Sequence, residues 1–280
     1  MKLVQVVIVL CCVVLSTTAY AQVAFPAEPA WIALRCNHSP MSDLLQDQSG
    51  ALDERDIVGD TAAPAGLRSS DAQYLYLRMR LEEDPAPGGA VRQFSWGMQF
   101  DLDNNLTGYE LMVVASGIGG AGTVTVYTNK TTSLLNDPND PADLPAVATY
   151  PFTMNARSLT APGSSYGGNA DFFLDFAVPW SVLVPLGLDR NTPTHVWAVT
   201  SNSASNLNGD VACHDGAGGP ARLDGTASDQ TTGDPAQDPG VGPSGTGQLE
   251  GGGGCTAGGA GSPLAALALL VLRRRRRAAP

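Results

Sequence analysis

Apolar and polar side chains alternate with a period of two over much of the chain between residues 74 and 200. In the stretch YLYLRMRL every second residue from Leu75 to Leu81 is apolar, and tyrosines and arginines occupy the positions between them. Similar alternation recurs in five later segments, which are residues 94–103, 109–116, 123–127, 172–178 and 196–200. This pattern is typical of β-strands that bury one face and expose the other.

Clusters of Gly, Pro, Asn and Asp separate these segments, as in DPAPGG, NDPNDPAD and APGSSYGG, and such clusters favour turns. No long segment has the 3.6-residue period of a helix. A short helical turn is predicted at residues 179–183, where a proline ends a strand. We therefore predict an all-β protein with a single antiparallel β-sandwich at residues 22–215.

Composition narrows the class of protein further. Hydrophobic residues make up 43% of the 280 residues and charged residues 15%, while Gly and Pro contribute 32 and 20 residues. The chain is too hydrophobic for a disordered protein and too rich in Gly and Pro for a helical bundle. The net charge is −11, and five of the 16 basic residues form one run, 273–277. No basic surface remains that would follow a phosphate backbone, which excludes nucleic acid as a partner.

The first 21 residues have the features of a signal peptide. Lys2 precedes the apolar run Leu3–Leu15, and Ala19-Tyr20-Ala21 fits the small-residue cleavage rule. We expect cleavage after Ala21, which would export the chain to a compartment where disulfides can form.

Cys36 and Cys213 are the two cysteines of the predicted domain, and they lie near its start and its end. In an exported chain they are expected to form a disulfide that closes the sandwich. The alternative is a zinc site completed by His38 and His214, although these spacings match no usual zinc pattern.

The segment after the domain divides into a linker and a tail. Residues 216–254 are mostly Gly, Ala, Pro, Asp, Ser and Thr, which predicts a flexible, disordered linker. Residues 255–280 begin with Cys255 and continue through a small-residue spacer and a short hydrophobic helix to the five arginines. This order resembles the MYXO-CTERM sorting tail of myxobacterial surface proteins. The resemblance implies processing at Cys255 by a sorting protease and a lipoprotein-like membrane anchor. The alternative is an uncleaved C-terminal membrane helix.

Four segments between residues 56 and 208 have a second resemblance. They are YLYLRMRL, WGMQFDLDNN, GYELMV and DFAVPWSVL. Together they resemble the β-sandwich of family 9 carbohydrate-binding modules and the related DOMON group. The resemblance implies sugar binding, structural calcium in many members and haem in some. Haem held by Met98 and His195 is the disfavoured alternative, because no c-type attachment motif is present, and we expect no cofactor other than calcium.

Four aromatic residues and one arginine occupy positions between the apolar residues of their strands, so they face the opposite side of the sheet from the predicted core. We expect them to line an outer sheet face, where flat rings stack on sugar rings and polar groups fix the orientation of the sugar. The residues of this expected glycan platform are Tyr74, Tyr76, Arg78, Tyr127 and Trp197. The alternative is that this second face is also half-buried.

Asp101, Asp103 and Asn105 place oxygen-bearing side chains at every second position. These three residues would converge on one hard cation, for which calcium is the candidate. The segment lacks the Gly and the Glu that an EF-hand has at the positions of Leu106 and Met112. The alternative is therefore a polar turn between two strands.

No catalytic motif stands out, because the three histidines lie in no nucleophile or metalloprotease motif and chance acidic pairs are expected in so acidic a chain. We therefore expect a non-catalytic binding protein, not an enzyme, that is held at the cell surface or outer membrane by its tail or a lipid and binds a polysaccharide. The alternatives are a structural or adhesive protein that binds other surface proteins, and a secreted hydrolase.

Overall fold

A computed structural model describes residues 22–36, 39–47, 52–103, 105, 108–134 and 140–212. The predicted signal peptide, linker and tail lie outside these residues, as do Ala21, His38, Cys213 and Cys255. The strands are β1 Ile32–Ala33, β2 Arg35–Cys36, β3 Ser39–Pro40, β4 Gly66–Ser70, β5 Tyr74–Leu81, β6 Ser95–Asp101, β7 Leu111–Ser116, β8 Thr123–Thr128, β9 Ala148–Pro151, β10 Ala156–Thr160, β11 Phe172–Pro179, β12 His195–Ser201 and β13 Val211–Ala212. The described helices are α1 Phe152–Asn155, α2 Trp180–Leu183 and the 3₁₀ turns Glu28–Ala30, Asp53–Arg55, Pro87–Gly89, Tyr166–Gly168 and Val184–Leu186.

The strands form two antiparallel sheets and a small two-stranded ribbon of β2 and β3. The order is β1-β4-β5-β11-β10 in the five-stranded sheet and β13-β12-β6-β7-β8-β9 in the six-stranded sheet. The chain passes between the sheets from β5 to β6, from β9 through α1 to β10, and from β11 through α2 to β12. The prediction of an all-β, antiparallel fold is confirmed.

One hydrophobic core lies between the two sheets, as expected for a sandwich. Leu77 and Phe176 enter it from the five-stranded sheet, and Met98, Val113 and Val126 enter it from the six-stranded sheet. All five side chains are fully buried. These residues occupy the apolar positions of the alternating pattern, so the inward face of each of these strands follows from the sequence.

The outward faces differ from the expectation that each strand exposes one side. Every residue of β6, β7 and β12 is buried, and so is every residue of β5 after Tyr74. Other parts of the chain cover both sheets. Residues 22–31 pack on the five-stranded sheet, while residues from the segments 140–147 and 202–211 pack on the six-stranded sheet. The expectation of one exposed face is therefore wrong for these strands.

Local chemistry ends the strands at the predicted places. A side-chain oxygen of Asp71 accepts the backbone N–H groups of Gln73 at 2.7 Å and Tyr74 at 2.8 Å, which makes the tight turn between β4 and β5. Pro179 ends β11 and α2 follows directly, as the PWSVL pattern predicts. Trp180 then donates its indole N–H to the carbonyl oxygen of Asp71 at 3.2 Å, so the turn and the helix support each other.

Cys36, at the end of β2, forms a disulfide. Its predicted partner, Cys213, lies outside the described residues, so the pairing stays a prediction. Among the described residues, no helix has the length and apolar character needed to cross a membrane.

Candidate functional site

Three of the expected platform residues lie on the outer face of the five-stranded sheet. Tyr74 is half-buried, whereas Tyr76 is 3% exposed and Arg78 is completely buried. Val23 and Trp31 of the N-terminal segment pack on this face next to Tyr76. The face is therefore mostly covered by the protein's own chain.

The side chain of Arg78 is held by contacts with other residues of the protein. Its Nε and Nη2 donate to the two carboxylate oxygens of Asp175 at 2.6 and 2.9 Å, and its Nη1 donates to Glu28 at 2.7 Å. The guanidinium lies 4.0 Å from the ring centre of Trp31 and 4.1 Å from that of Phe173. All three guanidinium nitrogens donate within the protein and Arg78 is completely buried, so it has no surface left for a sugar.

The other two expected residues lie on the outer face of the six-stranded sheet. Trp197 and Tyr127 belong to one row across β12, β6, β7 and β8, with Gln99 and Met112 between them. Trp197 is 2% exposed and Tyr127 is 8% exposed, because Ala142 and Leu207 are among the residues that pack on this row.

The five residues therefore do not form one platform. The two outer faces point away from each other across the shared core, and each is covered by part of the chain. The alternation correctly separates these residues from the core, but it does not reveal what packs on the second face. Four of the five residues are buried and Tyr74 is half-buried, so the second face is covered, as in the alternative given above.

Met98 and His195, the residues of the alternative haem site, are not brought together either. Met98 points into the core between the sheets. His195 points to the outer side of its sheet, where its ring stacks on Trp197 with 6.5 Å between the ring centres. Side chains on opposite faces of a sheet cannot hold one iron between them.

An open cleft of about 540 Å³ lies beside β10, the edge strand of the five-stranded sheet. β10 and α1 line it together with residues of the 84–89 loop. The lining includes two aromatic rings and three hydroxyl groups, which belong to Phe152, Phe172, Thr153, Ser158 and Thr160. Asp84 and Arg157 add one carboxylate and one guanidinium.

The polar groups of the cleft are held in place by their neighbours. The hydroxyl of Ser158 donates to Asp84 at 2.6 Å and links β10 to the 84–89 loop. Arg157 donates to Asp175 at 2.8 Å, and its guanidinium lies 4.7 Å from the ring centre of Phe25. A cleft with side chains fixed in this way loses little conformational freedom when a ligand enters.

The expected metal residues lie at the turn between β6 and β7. Oxygen atoms of Asp101, Asp103 and Glu110 all lie within 4.8 Å of one another. The backbone N–H of Asn105 donates to a carboxylate oxygen of Asp103 at 2.9 Å and to one of Asp101 at 3.3 Å. The turn thus gathers two of the three expected residues and adds Glu110, which does not continue their every-second-residue spacing.

Glu110 reaches the cluster because β6 and β7 form an antiparallel pair. Its backbone N–H donates to Phe100 at 3.0 Å, and its carboxylate accepts the N–H of Leu102 at 2.6 Å. Burial and the charges of Asp103 and Asp101 raise the pKa of Glu110, while the bond from Leu102 lowers it. Three carboxylates in this arrangement are suited to a hard cation.

Compared with known protein families, with curated proteins and with solved structures, the chain shows no significant match.

Proposed function

We propose that the protein is a non-catalytic binding module, displayed at the cell surface, that holds a segment of a neutral polysaccharide in the cleft beside β10. The observation that carries this proposal is the cleft itself, an open concave site with a volume of about 540 Å³. That volume falls in the range of about 300–1,000 Å³ that is usual for ligand pockets.

The chemistry of the lining supports a sugar as the ligand. The half-buried ring of Phe172 offers apolar surface to the C–H groups of a pyranose. Hydroxyl groups of the lining can donate to or accept from sugar hydroxyls, and the Asp84 carboxylate can accept from them. All 27 acidic residues lie between the predicted signal peptide and the predicted tail, so the exported domain is strongly acidic and disfavours anionic glycans.

The test is a binding screen of the purified protein against neutral polysaccharides, followed by affinity measurements with the best ligand. Thr153 and Thr160 are exposed and line the cleft. Changing both to Ala removes two hydroxyl groups and should weaken binding about tenfold or more, at about 1 kcal/mol for each hydrogen bond.

Two matched controls separate the cleft from the rest of the surface. Thr149→Ala removes an exposed hydroxyl from β9, outside the cleft, and should leave the affinity unchanged. Tyr74→Ala changes the outer face of the five-stranded sheet and should also leave it unchanged. A loss of binding in Tyr74→Ala with full binding in the double threonine variant would contradict the cleft. Release of reducing sugar would contradict a non-catalytic role.

The second candidate function is adhesion to another surface protein, and the position of β10 favours it. An edge strand can accept an additional strand from a partner. Just after β10, Ala161 donates its N–H towards the β11 side of the sheet, to the carbonyl oxygen of Asp171 at 2.8 Å. The alternation of an antiparallel pair therefore turns the N–H of Thr160 towards the free edge. Thr160→Pro should abolish strand addition, whereas Thr160→Val should not.

Surface display is a separate part of the proposal, and the order of segments in the tail supports it. The intact mass of protein extracted from membranes tests it. We expect a chain that begins at Gln22, ends at or near Cys255 and carries a lipid increment. A mass that extends through Pro280 would instead indicate an uncleaved membrane helix.

We also infer that calcium binds at the turn between β6 and β7 through Asp101, Asp103 and Glu110. The ion would neutralise carboxylates that repel one another and so stiffen the turn. Asp103→Asn removes an exposed ligand and should abolish this binding without loss of the fold.

A further inference from the structure

A second cluster of carboxylates joins two distant parts of the chain. Oxygen atoms of Asp43, Asp47 and Asp210 lie within 4.8 Å of one another; we call these three residues the Asp210 cluster. Asp43 and Asp47 belong to the segment between β3 and the 3₁₀ turn at residues 53–55, whereas Asp210 directly precedes β13. No sequence motif connects positions so far apart.

Hydrogen bonds from the backbone hold the cluster in place. Asp210 accepts the N–H of Ile57 at 2.6 Å. Asp43 and Gly59 exchange two backbone hydrogen bonds of 2.9 and 3.1 Å. The carboxylate of Asp210 and the backbone of Asp43 are therefore fixed by the fold, whereas Asp47 is exposed.

Buried carboxylate oxygens lie within the cluster and next to it. One oxygen of Asp43 is buried and has no hydrogen-bond donor within the described part of the chain. Asp56 is completely buried, and one of its oxygens accepts the N–H of Gln46 at 2.8 Å. The carboxyl group of Asp56 also pairs with that of Glu82, which is 2% exposed, and two carboxyl groups can hydrogen-bond only through a proton that they share.

The neighbouring charges that raise the pKa of Asp43 and Asp210 are all carboxylates. Burial, followed by the charges of Asp210 and Asp47, raises the pKa of Asp43 to about 9. Burial, with the charges of Asp47 and Asp56, raises that of Asp210 to about 7. Buried carboxylates without a balancing charge are costly, so a cation or shared protons must compensate them.

We propose that Asp43, Asp47 and Asp210 bind a calcium ion, with Asp56 beside them as a further source of negative charge. The ligand atoms are all carboxylate oxygens, which favours a hard cation over zinc or copper. Three carboxylates supply up to six oxygens, close to the six to eight that calcium takes. Asp47 is exposed, which leaves a path for the ion and its remaining water ligands.

The ion would act as a clamp between the two ends of the domain. It would join the segment that carries Asp43 to the residue that precedes β13, the last described strand. Asp210 lies three positions before Cys213, so the clamp would sit where the chain leaves the sandwich for the predicted linker. This inference does not depend on what the cleft binds.

The test is calorimetric titration of the EDTA-treated full chain with CaCl₂ and, separately, with MgCl₂. Asp47→Asn changes an exposed ligand, so the fold should survive. Its calcium affinity at the Asp210 cluster should fall at least tenfold. Asp103→Asn, at the turn between β6 and β7, is the matched control and should retain this binding event.

A second variant separates loss of binding from loss of folding. Asp43→Asn removes one of the mutually repelling charges. Introduced into the Asp103→Asn variant, which lacks the calcium site proposed at the turn between β6 and β7, it should raise the melting temperature of the metal-free protein and abolish the further rise that calcium produces in Asp103→Asn alone. The proposal is overturned if the wild type binds no calcium up to 10 mM, in which case the carboxylates share protons. It is also overturned if Asp47→Asn binds calcium as the wild type does, or if MgCl₂ binds more tightly than CaCl₂.

Discussion

The guanidinium of Arg78 joins three segments of the protein. It pairs with Asp175 on β11 and Glu28 in the N-terminal segment, and it lies 4.0 Å from the ring centre of Trp31 and 4.1 Å from that of Phe173. The charges of Asp175 and Glu28 raise the pKa of Arg78 against the opposing effect of burial. A bidentate pair that also stacks on two rings requires the planar fork of arginine, which lysine lacks.

Arg78→Ala should lower the free energy of unfolding by about 3 kcal/mol or more, because it leaves the carboxylate of Asp175 buried without its main partner. Urea unfolding measures this change. Arg92→Ala is the control, since Arg92 pairs with Glu54 at 3.2 Å but its side chain is 49% exposed. The control should change stability by less than about 1 kcal/mol. Equal effects for both variants would contradict the structural role of Arg78.

Gly97 shows why a glycine stands in the middle of a buried strand. A Cβ added at this position would lie 2.6 Å from the carbonyl oxygen of Val113 and 2.7 Å from a methyl group of Leu207. Gly97→Ala should therefore destabilise the protein by about 1–3 kcal/mol, as overpacking of a core does. Gly108→Ala meets no atom within 4 Å and is the matched control. Thermal unfolding of the two variants should differ; the same melting temperature for both would contradict the close packing at Gly97.

At the level of elements, long strands with regular alternation are predictable from the sequence and short edge strands are not. β5, β6, β7, β8, β11 and β12 coincide with the alternating segments to within a few residues. β1, β9, β10 and β13 have two to five residues each, too few to establish a period. Their pairing depends on the neighbouring strand, so only the fold reveals them.

The N-terminal segment is an element that the alternating pattern did not indicate. Trp31 is 8% exposed and packs on the outer face of the five-stranded sheet with Tyr76 and Ala177. Trp31→Ala should cost about 3 kcal/mol of stability, in line with other losses of buried aromatic rings. Leu44→Ala, at a side chain that is 62% exposed, should change stability by no more than about 0.5 kcal/mol. A harmless Trp31→Ala, measured by urea unfolding, would mean that the segment does not hold the face.

At the scale of the whole molecule, sites assembled from distant segments are the part that sequence reasoning misses. The proximity of Asp101 and Asp103 is predictable because they are close in sequence, at the end of β6. Asp43 and Asp210 lie 167 positions apart, and neither has a neighbourhood that differs from other acidic loops of the chain. The cleft likewise draws on the 84–89 loop, α1 and β10, which have no common pattern.

The buried carboxylates make a prediction about pH. In the folded protein the pKa is raised to about 9 for Asp43 and to about 7 for both Asp210 and Glu82, from ordinary values near 4. Between pH 5 and 9 the folded state therefore holds protons that the unfolded state has released. Stability should fall as the pH rises through this range when EDTA is present.

Neighbouring charges do not reverse this sign. The charges of Asp53 and Glu83 also raise the pKa of Glu82. The pKa values of other groups, such as Asp71 and Asp140, are lowered, but these groups change stability only below about pH 4. Melting temperatures at pH 5, 7 and 9 measure the effect, and calcium should reduce the loss most at pH 9. Stability that rises with pH in EDTA would contradict the burial of these carboxylates.

The most direct test of the central claim is an NMR titration of ¹⁵N-labelled protein with fragments of the neutral polysaccharide that binds best. The account predicts that the largest amide shifts occur at Ser158 and Thr160 on β10 and at Gly88 and Gly89 in the facing loop. It also predicts small shifts at Tyr76 and Trp197 under the two covered faces. Shifts concentrated on either outer sheet face, or no binding by any neutral polysaccharide, would contradict a glycan-binding cleft beside β10.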